Sequence, residues 1–144
     1  MSVGRICSQS VVTAGPGESI RDAARRMARF SVGTLVVTDL DQGEHPIGIL
    51  TDRDIVTRCV AGGLDPSYNP VSSIMSVPVR SVGWHTPIDD ALTVMAGEGM
   101  RRLVVTDADN RLAGILALDD VIEQLVNEAD AIKRLLTSHA PAPV

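Results

Sequence analysis

The chain repeats itself. Ser19–Asp39 superposes on Pro87–Asp107 without a gap, at a constant offset of 68 residues. Identities include Ile20/Ile88, Asp22/Asp90, Ala23/Ala91, Met27/Met95 and Ala28/Ala96, then Leu35–Asp39 against Leu103–Asp107. Upstream, Ile6, Ser8, Val11 and Gly15 match Ile74, Ser76, Val79 and Gly83. After Asp41/Asp109 the offset falls to 66 (Gly48 to Gly114), so the first copy carries a longer loop. A unit of this period cannot bury its own apolar face alone, so the two copies must share their burial. A chain of 144 residues is enough for one compact domain built from the pair.

Each copy reads as β-α-β-β-α. Arg5–Ser8 and Ser73–Ser76 are expected as short helical lead-ins, and Val11–Thr13 and Val79–Val82 as short strands. Gly15-Pro16-Gly17 breaks the first strand, and Ser19 is placed to cap the helix that follows. Ile20, Ala23, Ala24, Met27 and Phe30 recur at helical spacing, as do Ile88, Ala91, Leu92 and Met95. The second helix is weakened near Gly97 and Gly99. Thr34–Thr38 with Ile47–Leu50, and Leu103–Thr106 with Leu112–Leu116, are expected as strand pairs. They are joined by turns at residues 39–43 and 107–110. The expected boundaries are repeat 1 at 3–61, a linker at 62–70, repeat 2 at 71–128, and a helix extension and tail at 129–144, loose over 140–143. The last helix keeps an apolar stripe from Leu118 to Leu136, to be buried on this domain or on a second subunit.

Within this frame two stretches carry chemistry: Gly48-Ile49-Leu50-Thr51-Asp52-Arg53-Asp54 and its partial copy Gly114-Ile115-Leu116-Ala117-Leu118-Asp119-Asp120. Each is a buried strand running directly into a helix N-terminus. Free N–H groups and partial positive charge there attract phosphate, and a carboxylate one turn in can accept hydrogen bonds from a ribose diol. Thr51-x-x-Asp54 equally fits a capping box that serves only the helix. The second copy has Ala117, which cannot cap, yet keeps Asp120. Arg53 occupies a first helical turn, where a cation is unfavourable unless it meets an anion.

Composition narrows the function. A net charge of −5 argues against a nucleic-acid surface. No run approaches the ~18 apolar residues of a membrane helix. Cys7 and Cys59 lack framework spacing and no signal peptide is evident, so the expectation is reduced thiols in the cytoplasm. Aromatics make up only 2 %, so aliphatic side chains and Met27, Met95 and Met100 must fill the core. Trp84 either lids a cleft or covers that core. No nucleophile elbow, P-loop or dinucleotide fingerprint occurs, so no catalytic residue is assigned. His45, His85 and His139 share no metal-ligand spacing with each other or with the cysteines.

The β-α-β-β-α repeats, the Gly48–Asp54 motif, the paired Leu-Val-Val-Thr-Asp strands and the Ile6-Cys7-Ser8 and Ile74-Met75-Ser76 starts resemble a tandem pair of CBS (cystathionine-β-synthase) domains over residues 3–128. The resemblance implies an α/β (α+β) fold of two pseudo-symmetric repeats packed through their sheets, with two clefts between them. It implies an adenosine nucleotide (AMP, ADP or ATP) or adenosyl ligand, a homodimer, and regulation of an unidentified protein partner, with no required cofactor, nucleic acid or membrane. By position, Asp54 and Asp120 match the family's ribose-binding acid and Thr51 its hydroxyl residue. Ile49 and Ile115 match apolar neighbours of the ligand. Val11, Val12 and Thr13, and Val79 and Ser81, lie in the segments that flank adenine. Arg101 and Arg102 stand where some members place a phosphate-binding base, although they also read as a solvated pair at a strand start. The first cleft, with Thr51, Arg53 and Asp54, is expected to be the stronger. The second, with Asp120, the arginines and Ala117, is expected to be weak or empty. The alternative is an interaction module with vestigial clefts that acts through its C-terminal helix.

Overall fold

The computed structural model describes residues 1–39, 41 and 44–138. Leu40, Gln42 and Gly43, where a turn is expected, and residues 139–144, which include the expected loose end, lie outside that set. The first repeat contains β1 (Thr13–Ala14), α1 (Ile20–Phe30), β2 (Thr34–Asp39), β3 (His45–Thr51) and α2 (Asp52–Asp54), which continues as a wider π-helical turn over Ile55–Val60. The second contains β4 (Ser81–Gly83), α3 (Ile88–Glu98), β5 (Arg102–Thr106), β6 (Leu112–Ala117) and α4 (Leu118–Ser138). Each repeat folds its strands into one three-stranded sheet, β1-β2-β3 and β4-β5-β6, with the first pair parallel and the second antiparallel.

Side chains alternate across a strand. Leu35, Val37 and Leu50 face α1 in one core cluster, and Leu103, Val105 and Leu116 face α3 and α4 in the other. Val36 and Val104 point the opposite way and are still fully buried. The face of each sheet that carries no helix is therefore covered too, and the repeats pack sheet to sheet.

The lead-in segments cross over. Val3 and Cys7 belong to the core of the second repeat, and Val71 and Ile74 to the core of the first. Ser8 exchanges two backbone hydrogen bonds with Ile115, both 2.9 Å, and Ser76 exchanges two with Ile49, 2.7 and 3.0 Å. This crossing explains where the helical lead-ins fall. They are 3-10 turns at Val3–Arg5 and Val71–Ser73, about two residues earlier than their sequence suggests. After Ser8 and Ser76 the chain runs through exposed residues, Gln9 and Ser10 in one copy and Val77 and Pro78 in the other, and the β1 and β4 ladders begin only at Thr13 and Ser81.

The helix ends are satisfied by the same exchange. Ser19 caps α1 by accepting from Asp22 N–H. The linker carbonyls of Asn69 and Pro66 accept the Ile20 and Arg21 N–H groups, both at 3.0 Å. At α3 it is Met1 that accepts from Ile88, at 3.1 Å. Gly97 does not end α3. The helix runs on to Glu98 and closes at Gly99, whose φ of 65° suits a residue without a Cβ. Phe30, expected in the core, is half exposed at the end of α1, with the Arg29 guanidinium 5.4 Å from its ring centroid. Trp84 covers the second core and presses against Gly4, where any Cβ would fall inside the indole. Only the start of the α4 stripe packs on this domain, at Leu118 and Val121; Leu125 to Ser138 are exposed without a break.

The crossing also fixes the glycine that opens each motif. A Cβ on Gly114 would stand 2.7 Å from the Ser8 carbonyl oxygen, whereas one on Gly48 would meet the flexible Met75 thioether. Gly114→Ala should therefore cost about 1–3 kcal/mol and Gly48→Ala clearly less, as read by urea denaturation. Equal costs would contradict the backbone crossing at Ser8.

Candidate functional site

Directly paired strand residues project from the same face of a sheet. The register Thr13↔Val36↔Ile49 and Thr34↔Thr51 places Thr13, Ile49 and Thr51 on the helix-free face of the first sheet. The register Ser81↔Val104↔Ile115 and Arg102↔Ala117 places Ser81, Ile115 and Arg102 on the corresponding face of the second. Six of the residues singled out by sequence thus lie on the two helix-free faces, Ser81 and Arg102 at exposed positions.

Asp54, at 9 % exposure, is the only buried carboxylate among the described residues. Its carboxylate accepts the Thr51 N–H and the Thr51 hydroxyl accepts the Asp54 N–H, both at 3.0 Å. The capping box is therefore real. It uses only part of the carboxylate, which offers about four acceptor sites. Ser76, from the other repeat, donates its hydroxyl to the same group at 3.3 and 3.4 Å. Arg58, one turn along, stands 3.9 Å away and ties the crossing segment down by donating to the Ile74 and Met75 carbonyls at 3.0 and 3.3 Å. Asp54 is thus held between its own helix and the lead-in of the second repeat.

The second motif is a reduced version. Asp120 accepts the Ala117 N–H at 3.0 Å, with no hydroxyl to return the bond. The lead-in beside it belongs to the first repeat. Cys7 lies there with its thiol pushed up, chiefly by burial and also by the Asp120 charge.

The clefts are therefore assembled across repeats, not within them. The segment that starts at Ser76 beside Asp54 passes Val79 and reaches β5, where the Arg80 carbonyl accepts the Val104 N–H at 3.2 Å. Val79 thus lies next to the start of β5, and the start of β5 is Arg102. The matching segment from Ser8 beside Asp120 passes Val11 and Val12 to the start of β2, where the equivalent residues are Gly33 and Thr34. The arginines thus adjoin the second motif, with the Arg101 carbonyl accepting the Leu118 N–H at 2.8 Å, and also border the segment that starts beside Asp54. Arg101 and Asp119 form a 3.8 Å pair, with both side chains largely in solvent, which contributes little. Arg101, Arg102, Ala117, Leu118 and Asp119 line a cavity of about 280 Å³. Arg53 is exposed on the first turn of α2.

Val11, Val12 and Thr13 line a groove of about 780 Å³ with Glu18, Arg26, Phe30 and Thr38, a size suited to a small-molecule ligand. Arg26 donates to the Thr13 carbonyl at 2.9 Å and forms an ion pair with Glu18. Glu18 also accepts the Gly15 N–H at 2.6 Å. These contacts, the Arg26 hydrogen bond first, hold the Glu18 carboxyl below its ordinary range. Sequence reasoning passed over Ser76, Arg58, Glu18 and Arg26 as site residues. Arg58 alone had a local signal, its position four residues after Asp54 on one helix. Among the described residues no cluster of three or more His, Cys, Asp or Glu side chains forms a metal site. Cys7 and Cys59 are free thiols, and no described helix is long and apolar enough to cross a membrane.

A depressed carboxyl stabilises the fold above its unfolded pKa and loses that contribution as pH falls through the folded value. The stability gap between wild type and Glu18→Gln should be present at neutral pH and close below roughly pH 4. Chemical denaturation at both pH values checks it, and a gap independent of pH would contradict the Arg26–Glu18 assignment.

The CBS domain family model matches the chain twice, over residues 3–61 and 71–127. The CBS domain-containing protein YhcV of Bacillus subtilis is 38 % identical over 89 % of each chain. An uncharacterised protein of Methanopyrus kandleri is 32 % identical over 85 % of this chain, which spans only 62 % of that protein's length. Among solved structures, the Pyrobaculum aerophilum CBS domain protein PAE2072 complexed with AMP aligns with a TM-score of 0.74 and 27 % identity, over 83 % of this chain and 89 % of that one.

Proposed function

Because this chain belongs to the CBS-domain family, we propose that it is a regulatory module that binds an adenosine nucleotide or adenosyl compound between its repeats and passes occupancy to a protein partner. The observation that carries the reading is Asp54, a buried carboxylate with spare acceptor capacity, shared by its own helix and the other repeat's Ser76. In this reading the ribose diol donates to Asp54 and displaces the Ser76 hydroxyl. The segment Ser76–Ser81 flanks the base, with Val79 and Ile49 as apolar neighbours. Three residues of extended chain span roughly 10 Å, about the reach from a ribose to its phosphates. Arg102 and Arg101 at one end, and Arg53 with the α2 N-terminus at the other, are the groups placed to meet phosphate. The AMP complex of the 27 % identical Pyrobaculum protein supports the ligand class.

The Asp120 cleft offers Ile115, Val11, Val12 and Thr13 but no threonine hydroxyl at position 117, and Gly33 and Thr34 where the other cleft has arginines. It is the weaker site. Ligand in either cleft bridges elements of both repeats, so it can act only through a difference in affinity between two arrangements of those repeats.

Thermal denaturation with AMP, ATP and S-adenosylmethionine tests the reading. A ligand at about 100 times its dissociation constant should stabilise wild type by about 2.7 kcal/mol. Asp54→Ala should lose that gain and, through the broken capping box, about 1 kcal/mol of intrinsic stability. An Asp54→Ala protein that keeps the ligand shift and loses only the intrinsic part would leave Asp54 as a cap alone. Calorimetric titration should resolve one strong and one weak site per chain, and two equal sites would contradict the inequality of the clefts.

A further inference from the structure

Helix α1 is strongly basic in an acidic protein. Four of the chain's 13 lysines and arginines lie on its 11 residues, against a net charge of −5 for the whole. Arg26 is used internally, by Thr13 and Glu18. Arg21, Arg25 and Arg29 fall four residues apart on one exposed face, about 6 Å per step along the axis. Among the described residues none of the three reaches ion-pair distance of a carboxylate, and like charges at that spacing destabilise a helix. The fold does not call for them. At the offset of 68 the second repeat has Asp89, Thr93 and Gly97, and α3 forms the same 11 residues of helix without a cation. Aromatic side chains stand at both ends of α1. The chain has one Phe, one Tyr and one Trp. The two that are exposed are Phe30, on the last residue of α1 beneath the Arg29 guanidinium, and Tyr68, at 87 %. Tyr68 belongs to the linker turn whose Pro66 and Asn69 carbonyls accept the first N–H groups of α1. Arginine and exposed aromatics together are the composition that marks protein-binding surfaces.

We propose that the Arg21–Arg25–Arg29 face of α1 docks an acidic helix of a partner protein, one that carries Asp or Glu at i, i+4 and i+8. Such a helix repeats its carboxylates at the same step of about 6 Å, so each guanidinium fork meets one carboxylate. A continuous polyanion fits less well. Asp22 is exposed between these arginines and, with Glu18, lines the same shallow depression as Arg25 and Arg29. Nucleic acid or an anionic membrane is repelled there, whereas spaced carboxylates are not. This gives a chemistry to the partner in the regulatory reading and stands without it, since the docking is measured in the absence of nucleotide.

Amide chemical-shift titration by NMR reads such binding residue by residue. The probe is a short alanine-based helical peptide with Glu at i, i+4 and i+8 and a leucine beside them, and the control is the same composition scrambled. Shifts should concentrate on residues 20–30 and 66–69. The striped peptide should bind about tenfold tighter than the scrambled one or better, and added salt should weaken it. Arg25→Glu with Arg29→Glu should weaken binding by about tenfold or more, and a peptide with Lys in place of Glu should then prefer this variant to wild type. Arg25→Gln with Arg29→Gln should lose the peptide and melt no lower than wild type, because a like-charge pair has gone. A lower melting temperature makes the arginines structural and overturns the proposal. So does the absence of binding at millimolar peptide, equal affinity for the striped and scrambled peptides, or shifts that lie away from α1. Tighter binding of a DNA or RNA oligonucleotide, or of phosphatidylserine vesicles, than of the striped peptide overturns it as well, as does a change of oligomeric state in the arginine variants with peptide affinity unchanged.

Discussion

Four backbone hydrogen bonds hold the architecture together: the reciprocal pairs between Ser8 and Ile115 and between Ser76 and Ile49. Each repeat sends its first residues onto the other, and each core is completed by side chains from its partner, Val3 and Cys7 in one direction and Val71 and Ile74 in the other. A three-stranded sheet with two helices has two apolar faces but covers only one of them. The crossing, together with sheet-to-sheet packing through Val36 and Val104, covers the rest. The repeats are thus halves of one folding unit, because neither can satisfy its own burial.

The same exchange builds the site. A carboxylate at the start of α2 would ordinarily be a solvated cap, worth about 1 kcal/mol to its helix. Here the second repeat's lead-in passes over it and brings Ser76 to it, while Arg58 of the same helix ties that lead-in down. A ligand seated there would contact a helix N-terminus from one repeat and a crossing segment from the other. Binding is then coupled to the relative position of the repeats by construction. The pseudo-symmetry is broken where chemistry matters: Thr51 against Ala117, Arg53 against Asp119, and Gly33 and Thr34 against Arg101 and Arg102.

Much of this was legible in the residues. The offset of 68 indicated the element order, the repeated apolar runs Leu35–Thr38 and Leu103–Thr106 indicated the buried strands, and Thr51-x-x-Asp54 indicated a capping box that the structure contains. The family was legible too, and the matching model covers both repeats. What stayed hidden was long-range. Nothing local in Ile6-Cys7-Ser8 says that it will pair with Ile115, over one hundred residues away, or that the segment from Ser76 will run from Asp54 to the start of β5. Phe30 matched helical spacing but falls on the last turn of α1, where the core has ended and Arg29 covers it instead. The stripe of α4 was visible, but periodicity records only that a helix has an apolar side. Whether that side meets its own chain depends on how far the body extends, and here α4 outruns it.

The central claim is that one ligand is held by residues of both repeats. A crystal structure with AMP bound measures that most directly. The account predicts ribose hydroxyls on the Asp54 carboxylate, the base against the Ser76–Ser81 segment and the phosphate toward Arg101, Arg102 or Arg53. A nucleotide contacting one repeat alone, or lying away from Asp54 altogether, would contradict it.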